Sequence, residues 1–186
     1  MLKIGKKQIR KDQPTFVIAE IAQAHDGSLG YAHSFIDIAK RCGANAVKFQ
    51  MHYSENESTL DEKFRIKLSS QYKNRFDYWK RMEFSMSQWL ELKKHCENLK
   101  LEFMVSVFSN QAVKNASALG LNNIKISSGE IFNQPLIDFV CQKFSNIIFS
   151  TGMIKKKELD EKINFFRKKK KKCSFLHFFS KYQLKK

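Results

Sequence analysis

The sequence predicts an α/β fold with a parallel sheet, in the form of a (β/α)8 TIM-type barrel truncated after about six βα units. Three observations carry that prediction. Short apolar, β-branched runs alternate with amphipathic helical patterns along the 186 residues. The runs are continuously apolar, as in strands covered on both faces. Polar side chains gather at or just beyond the C-terminal ends of these runs, which in a barrel converge on one mouth. An open doubly wound sheet would concentrate its site at one switch point, usually after a Gly-rich turn, and no GxGxxG or GxxxxGK[ST] follows any strand.

Six strands are expected, at 15–21, 44–50, 101–108, 123–128, 146–151 and 173–180. Helices are expected between them. Over Tyr31–Cys42 the stripe Phe35, Ile38, Ala39, Cys42 faces the core and Gly43 ends the helix. Over Ser87–Leu99 the stripe is Trp89, Leu92, Cys96, Leu99. Gln111–Leu119 stops at Gly120, and Pro135–Phe144 begins behind Asn133 as cap with Pro in its first turn. Lys156–Lys168 buries Leu159, Ile163 and Phe166. The polar, aromatic stretch 51–83 is expected to hold one helix and a loop over one end of the sheet.

Composition narrows the class. At 42% hydrophobic and 28% charged residues the chain can bury a core, which excludes general disorder. No run approaches the roughly 18 apolar residues of a membrane span. The opening MLKIGKKQIRKD lacks the apolar core of a signal peptide, so the cytoplasm is the expected location. Cys42, Cys96, Cys141 and Cys173 are widely spaced, with no CxxC or His at metal spacing, and are expected to be small buried residues. The formal charge of +16 is concentrated late: residues 155–186 hold thirteen basic side chains against three acidic ones, and 167–186 form a Lys-rich end. A run such as Arg167–Lys172, without interleaved readers, is expected to be solvated chain, so no nucleic-acid or membrane partner is assigned.

The chemistry-bearing positions lie at strand ends. Glu20 follows four apolar residues, where a carboxylate is costly unless it is paired or faces water. Lys48 in AVKFQ and Lys125 in NIKISS repeat one pattern, a lysine inside a buried strand. With Gln50, Ser106, Ser128 and Ser150 nearby, two such lysines point to a site for a multiply charged anion, to which hydroxyls and loop amides add directional donors. Ser128-Gly129-Glu130 and Ser150-Thr151-Gly152 are strand-end turns. His25 with Asp26 is either a catalytic pair or part of a turn made by Asp26 and Gly27, and His177 lies within the last strand.

These residues fall in stretches that resemble the N-acetylneuraminate (sialic acid) synthase family, including the legionaminic and pseudaminic acid synthases. The stretches are FVIAEIAQAHDGSLG (16–30), GANAVKFQ (43–50), FDYWKRMEF (76–84), KISSGEIFNQPL (125–136), IIFSTGM (147–153) and FLHFFSKY (175–182), in family order over about 14–182. The resemblance implies a barrel that condenses phosphoenolpyruvate with an N-acetylated amino sugar, aided by a divalent metal, Mn or Mg. It implies that Lys48, Ser106, Lys125, Ser128 and Ser150 hold phosphoenolpyruvate, with Ser180 and Gln50 at the same mouth. Glu20 and Glu130 would act as the catalytic carboxylates beside the sugar, and Tyr182 would line the opening. The sequence departs from the family at Val107, often Pro, and in the strand around His177. The resemblance implies a homodimer for the family; the metal-ligating histidines of later strands and the C-terminal antifreeze-like domain are expected to be absent, which leaves 1–186 as an incomplete synthase barrel of impaired activity. The alternatives are another phosphoenolpyruvate-dependent keto-sugar-acid synthase, or a non-catalytic basic fragment that binds nucleic acid or membrane.

Overall fold

The computed structural model describes residues 2–5, 7–64, 70–152 and 154–176. The predicted strand–helix alternation is present, preceded by an N-terminal hairpin that the sequence patterns did not disclose. The hairpin pairs β1 (Leu2–Ile4) with β2 (Lys7–Ile9) antiparallel. There follow β3 (Ile18–Ala22), α1 (Leu29–Arg41), β4 (Ala46–Met51), α2 (Ser54–Glu57), α3 (Arg75–Met82), α4 (Met86–Asn98), β5 (Glu102–Val107), α5 (Asn110–Ala118) and β6 (Asn123–Ile126). A 3-10 turn at Ser128–Glu130 leads to α6 (Gln134–Lys143), β7 (Asn146–Ser150), α7 (Lys156–Lys168) and β8 (Lys172–Leu176). Strands β3 to β8 form one six-stranded parallel sheet in unbroken sequential order. A doubly wound sheet reverses its order at a switch point. Sequential order is the winding of a barrel, here an arc with β3 and β8 as its outer strands.

The strand register separates two faces. Val47 pairs with Phe103, Phe49 with Val105, Ile124 with Ile147 and Ile126 with Phe149, and this face packs under the helices in the main core. The other face divides along its length. Near the strand starts Ala46, Met104 and Ile148 form a small apolar cluster with Ile4 of the hairpin, bordered by Ile9, Phe16 and Ile18. From the level of Met104, the partner of Lys48, and of Ile148, the partner of Lys125, toward the strand ends it carries Glu20, Lys48, Gln50, Ser106, Lys125 and Ser150. The hairpin therefore plugs one end with apolar side chains and leaves polar groups at the other.

Several expectations are corrected. In α1 the buried stripe is Ala32, Ile36 and Ala39, whereas Ile38 is 44% exposed and Cys42 is exposed. The helix starts earlier than expected, with Ser28 as N-cap accepting from the Tyr31 amide, and two alanines let it sit close to the sheet. Cys42 caps this helix and points outward, so it is not a buried residue. Cys96 and Cys141 are buried, and Cys173 is half-buried. In α4, Trp89, Leu92 and Cys96 are buried as expected. The stretch 51–83 holds two helices, α2 and α3, rather than one. Ser180, Tyr182, His177 and the end of the last predicted strand lie outside the described residues.

The loop after β3 resolves the two readings of His25. Asp26 and Gly27 both take positive φ, 47° and 74°, so they make the turn. A Cβ on Gly27 would lie 2.2 Å from the Arg81 carbonyl oxygen, which leaves room only for glycine. His25 is fully buried; its Nδ1 accepts the Gly27 amide at 3.1 Å, and its ring lies 4.6 Å from that of Phe84 and 6.0 Å from that of Phe49. Phe49 belongs to the helix-covered face, so His25 sits away from the lysines. Burial is the largest cause lowering the His25 pKa from 6.5 to about 4, with the His52 charge adding to it and Asp26 opposing. The unfolded chain thus binds the proton more readily than the folded one. Stability is full above about pH 6.5 and falls as pH drops toward 4, by up to about 3 kcal/mol for this group. Thermal unfolding measured from pH 7 to 4.5 should show this slope, and His25→Phe, which keeps a ring against Phe84, should flatten it.

Candidate functional site

The polar layer of the unplugged end is built by single residues from successive strands. Position 48 falls on the inner side of β4 because its neighbours Val47 and Phe49 face the helices. Lys48 is only 7% exposed and its Nζ donates to Ser106 Oγ at 2.9 Å. It also forms an ion pair with Glu20, its register partner on β3. The pairing skips Ile21, so a bulge separates Glu20 from Ala22, and Ala22 takes a φ of 50°. Bulges re-aim side chains in this way.

Lys125 on β6 lies level with Ser106 and is 6% exposed. Its Nζ donates to the Ile126 carbonyl at 3.0 Å and to Ser150 Oγ on β7. Burial is the first cause that lowers its pKa from 10.5 to about 8; the Lys48 charge adds to this and Glu20 opposes it. Two ammonium groups thus share one low-dielectric layer with one carboxylate, leaving an excess of positive charge on the inner face.

Glu130 ends the 3-10 turn beyond β6. Its Oε2 accepts from Asn133 Nδ2 at 2.8 Å, and Asn133 Oδ1 caps α6 by accepting the Leu136 amide at 3.2 Å. The cap residue thereby fixes the carboxylate. Glu130 and Gln50 line one cleft of about 480 Å³ together with His52, Arg75, Trp79 and Phe108. Ser128 is half-buried in the same turn. The structure therefore brings Glu20, Lys48 and Ser106 into one contact group and Lys125 and Ser150 into a second beside it. Gln50, on the Lys48 face of β4, joins this layer to the cleft that holds Glu130.

The opposite wall of that cleft was not anticipated. His52 lies between Trp79 and Phe108, with ring centroids 4.1 and 4.0 Å away and planes within 15°. Its Nδ1 is 2.6 Å from Glu57 Oε2, and Glu57 Oε1 accepts the Tyr53 amide at 2.9 Å. Arg75 lies over the outer ring of the stack, 5.8 Å from the Trp79 centroid, and pairs with Glu62. His52 follows Gln50 by two residues at a strand end, a signal that could have marked it. Its partners come from α2, α3 and the end of β5, which no local pattern brings together. Among the described residues no three His, Cys, Asp or Glu side chains are grouped to hold a metal ion. Glu20 is engaged by Lys48 and Glu130 by Asn133, so the donor set does not suit a divalent cation.

Comparison with known proteins places this arrangement in a lineage. The NeuB family model matches residues 35–185. The chain is 31% identical over 174 residues to N,N'-diacetyllegionaminic acid synthase of Campylobacter jejuni, covering 90% of this chain and 52% of that protein. It is 32% identical over 143 residues to human N-acetylneuraminate-9-phosphate synthase, covering 75% and 40% respectively. A crystal structure of N-acetylneuraminic acid (sialic acid) synthetase from Leptospira borgpetersenii, in complex with citrate, superposes with a TM-score of 0.82 at 26% identity, over 99% of this chain and 61% of that one. The chain spans about half the length of the curated relatives it matches. With a family match over most of its length and the sequential parallel sheet of a solved relative, this chain belongs to the NeuB family.

Proposed function

We propose that the paired lysines of the inner face bind phosphoenolpyruvate, and that the site serves its condensation with an N-acetylated amino sugar of the N-acetylmannosamine type to give a nonulosonic acid and phosphate. The observation that carries this reading is the pairing Lys48–Ser106 and Lys125–Ser150 within one buried layer. Each pair offers a charge and a hydroxyl, and two such pairs side by side complement a small ligand bearing a phosphate and a carboxylate. The names of the relatives, synthases of sialic and legionaminic acids, support the same substrate class. Because the chain spans about half of those relatives, the full reaction is proposed for the site in its family context.

In this proposal Lys48 and Lys125 offset the donor's charge while Ser106, Ser128 and Ser150 orient it. The enol ester attacks the sugar aldehyde through C3, forming the new C–C bond. Water adds at C2, the C2–O bond breaks and phosphate leaves. In the same proposal Glu20, free of its ion pair once the donor's anionic groups compete for Lys48, and Glu130 face the cationic C2 and take up the proton of the attacking water. Gln50 and the Glu130 cleft receive the sugar. The family's divalent metal would polarise the aldehyde, but the described donors do not suit one and no step here passes through it.

Donor binding can be tested on this chain directly. Phosphoenolpyruvate should raise the thermal midpoint of the wild-type chain in a concentration-dependent way. Lys48→Met should weaken that shift at least tenfold in apparent affinity. Absence of any shift with phosphoenolpyruvate, or an undiminished shift in Lys48→Met, would refute the assignment.

A second outcome follows from Lys125. Its pKa is lower in the folded chain than in the unfolded chain, so below about pH 8 the buried ammonium opposes folding, and the cost fades as pH rises toward 10.5. Lys125→Met should therefore raise stability at pH 7 by about 1–3 kcal/mol in denaturant unfolding while abolishing the phosphoenolpyruvate response.

A further inference from the structure

The sequence left the lysine run as solvated chain, and the fold gives it neighbours. In a parallel sheet every loop that enters a strand lies at one end, here the end opposite Lys48 and Lys125. The helices deliver basic residues to that end in their last turns: Lys40 and Arg41 in α1, Lys143 in α6, Arg167 and Lys168 in α7. The α7–β8 loop adds Lys169, Lys170 and Lys171, and the Lys172 amide donates to the Ser145 carbonyl at 2.8 Å, which holds this loop beside the end of α6. The hairpin packed beneath the sheet through Ile4 adds Lys3 and Lys7. Lys7 also lines a recess of about 660 Å³ on this side, with Gln13, Thr15 and Asn45.

Few acids answer this charge. Asp138 pairs with Lys169 at 3.6 Å, Asp12 with Arg10 at 2.7 Å and Glu97 with Lys93, and Glu102 stands at the start of β5 beside Gly5 of the hairpin. Lys168, Lys170 and Lys172 are exposed. Many of the acids, including Glu20, Asp26, Glu57, Glu83 and Glu130, belong to the strand-end side. The net charge is thus segregated onto the face turned away from the site.

We propose that this basic face docks on an anionic phospholipid bilayer, leaving the mouth of the site open to soluble substrates. The ligand class follows from what the face lacks as well as what it has. Single-stranded nucleic acid is held by rings on which bases stack. Here the rings of Phe139 and Phe165 are covered by the face's own lysines, with Lys143 Nζ 5.9 Å and Lys169 Nζ 5.7 Å from the ring centroids, and Phe16, which lines the recess beside Lys7, packs against the apolar cluster of the hairpin. Among the described residues short loops and helix ends form the face, with no projecting helix to enter a groove. Lysines, compact and strongly hydrated point charges, suit the diffuse potential of an anionic surface, where each contributes independently of fixed geometry.

Flotation of the full 186-residue chain with phosphatidylcholine vesicles, with and without phosphatidylglycerol, tests this. Binding should require phosphatidylglycerol and weaken with salt. The variant K168Q/K170Q/K172Q should lose roughly tenfold or more in affinity. The charge-matched variant K114Q/K156Q/K157Q, altered on the flank and at the opposite end of α7, should bind as wild type. Failure to bind anionic vesicles would overturn the proposal, as would equal losses in the two variants. Tighter binding to single-stranded or duplex DNA than to vesicles at equal phosphate concentration would overturn it in favour of nucleic acid.

Discussion

Two ammonium groups held inside one face of a parallel sheet set the character of this molecule. Lys48 and Lys125 stand on strands separated only by β5, and each is more than nine-tenths buried. Their charges oppose one another and oppose burial, and a single nearby carboxylate, Glu20, compensates in part. Such a layer is costly to fold around unless the chain derives something from it. An anion entering between them relieves both the repulsion and the desolvation. The free protein therefore stores, as an unfavourable arrangement, part of what a doubly anionic ligand would gain.

The rest of the fold keeps that layer where it is. Helices cover one face of the sheet, with aromatic contacts such as Phe49 against Trp89 and Phe149 against Phe166. On the other face the hairpin brings Ile4 against Ala46, Met104 and Ile148 and closes the strand-start end. At the strand ends the His52 stack and the Asn133-held Glu130 stand beside the cleft that Gln50 lines. Burial of Lys48 and Lys125 strengthens the interactions of their charges. The same winding turns the helix C-termini, and most of the surplus positive charge, toward the far end.

Much of this was legible without coordinates, and particular residues show why. Lys48 and Lys125 interrupt apolar runs, and a charge inside a buried strand is conspicuous in any sequence. Ser106 is level with Lys125, and Ser150 lies two residues beyond Ile148, the register partner of Lys125, so the period of two puts both hydroxyls on the lysine face. In α1, Ala39 is buried and Phe35 packs half-buried against the core as expected, but Ile36 and Ala32 rather than Ile38 and Cys42 complete the stripe, because close approach to the sheet favours the small alanine over a more hydrophobic neighbour. The hairpin escaped notice because Ile4 and Ile9 are isolated among polar residues, and their burial depends on a floor made by three distant strands.

The sequence by itself determined the alternation of the six parallel strands with their helices, the family, and the residues that carry charge into the core, because hydrophobic period, capping and lysine placement are local properties of the chain. The tertiary structure alone decided three things. It paired Lys48 with Glu20 and Ser106 rather than with other groups, sandwiched His52 between rings from two distant segments, and gathered scattered basic loops onto one face. Each of those is a contact between residues far apart in the chain, set by strand register and by the common direction of a parallel sheet.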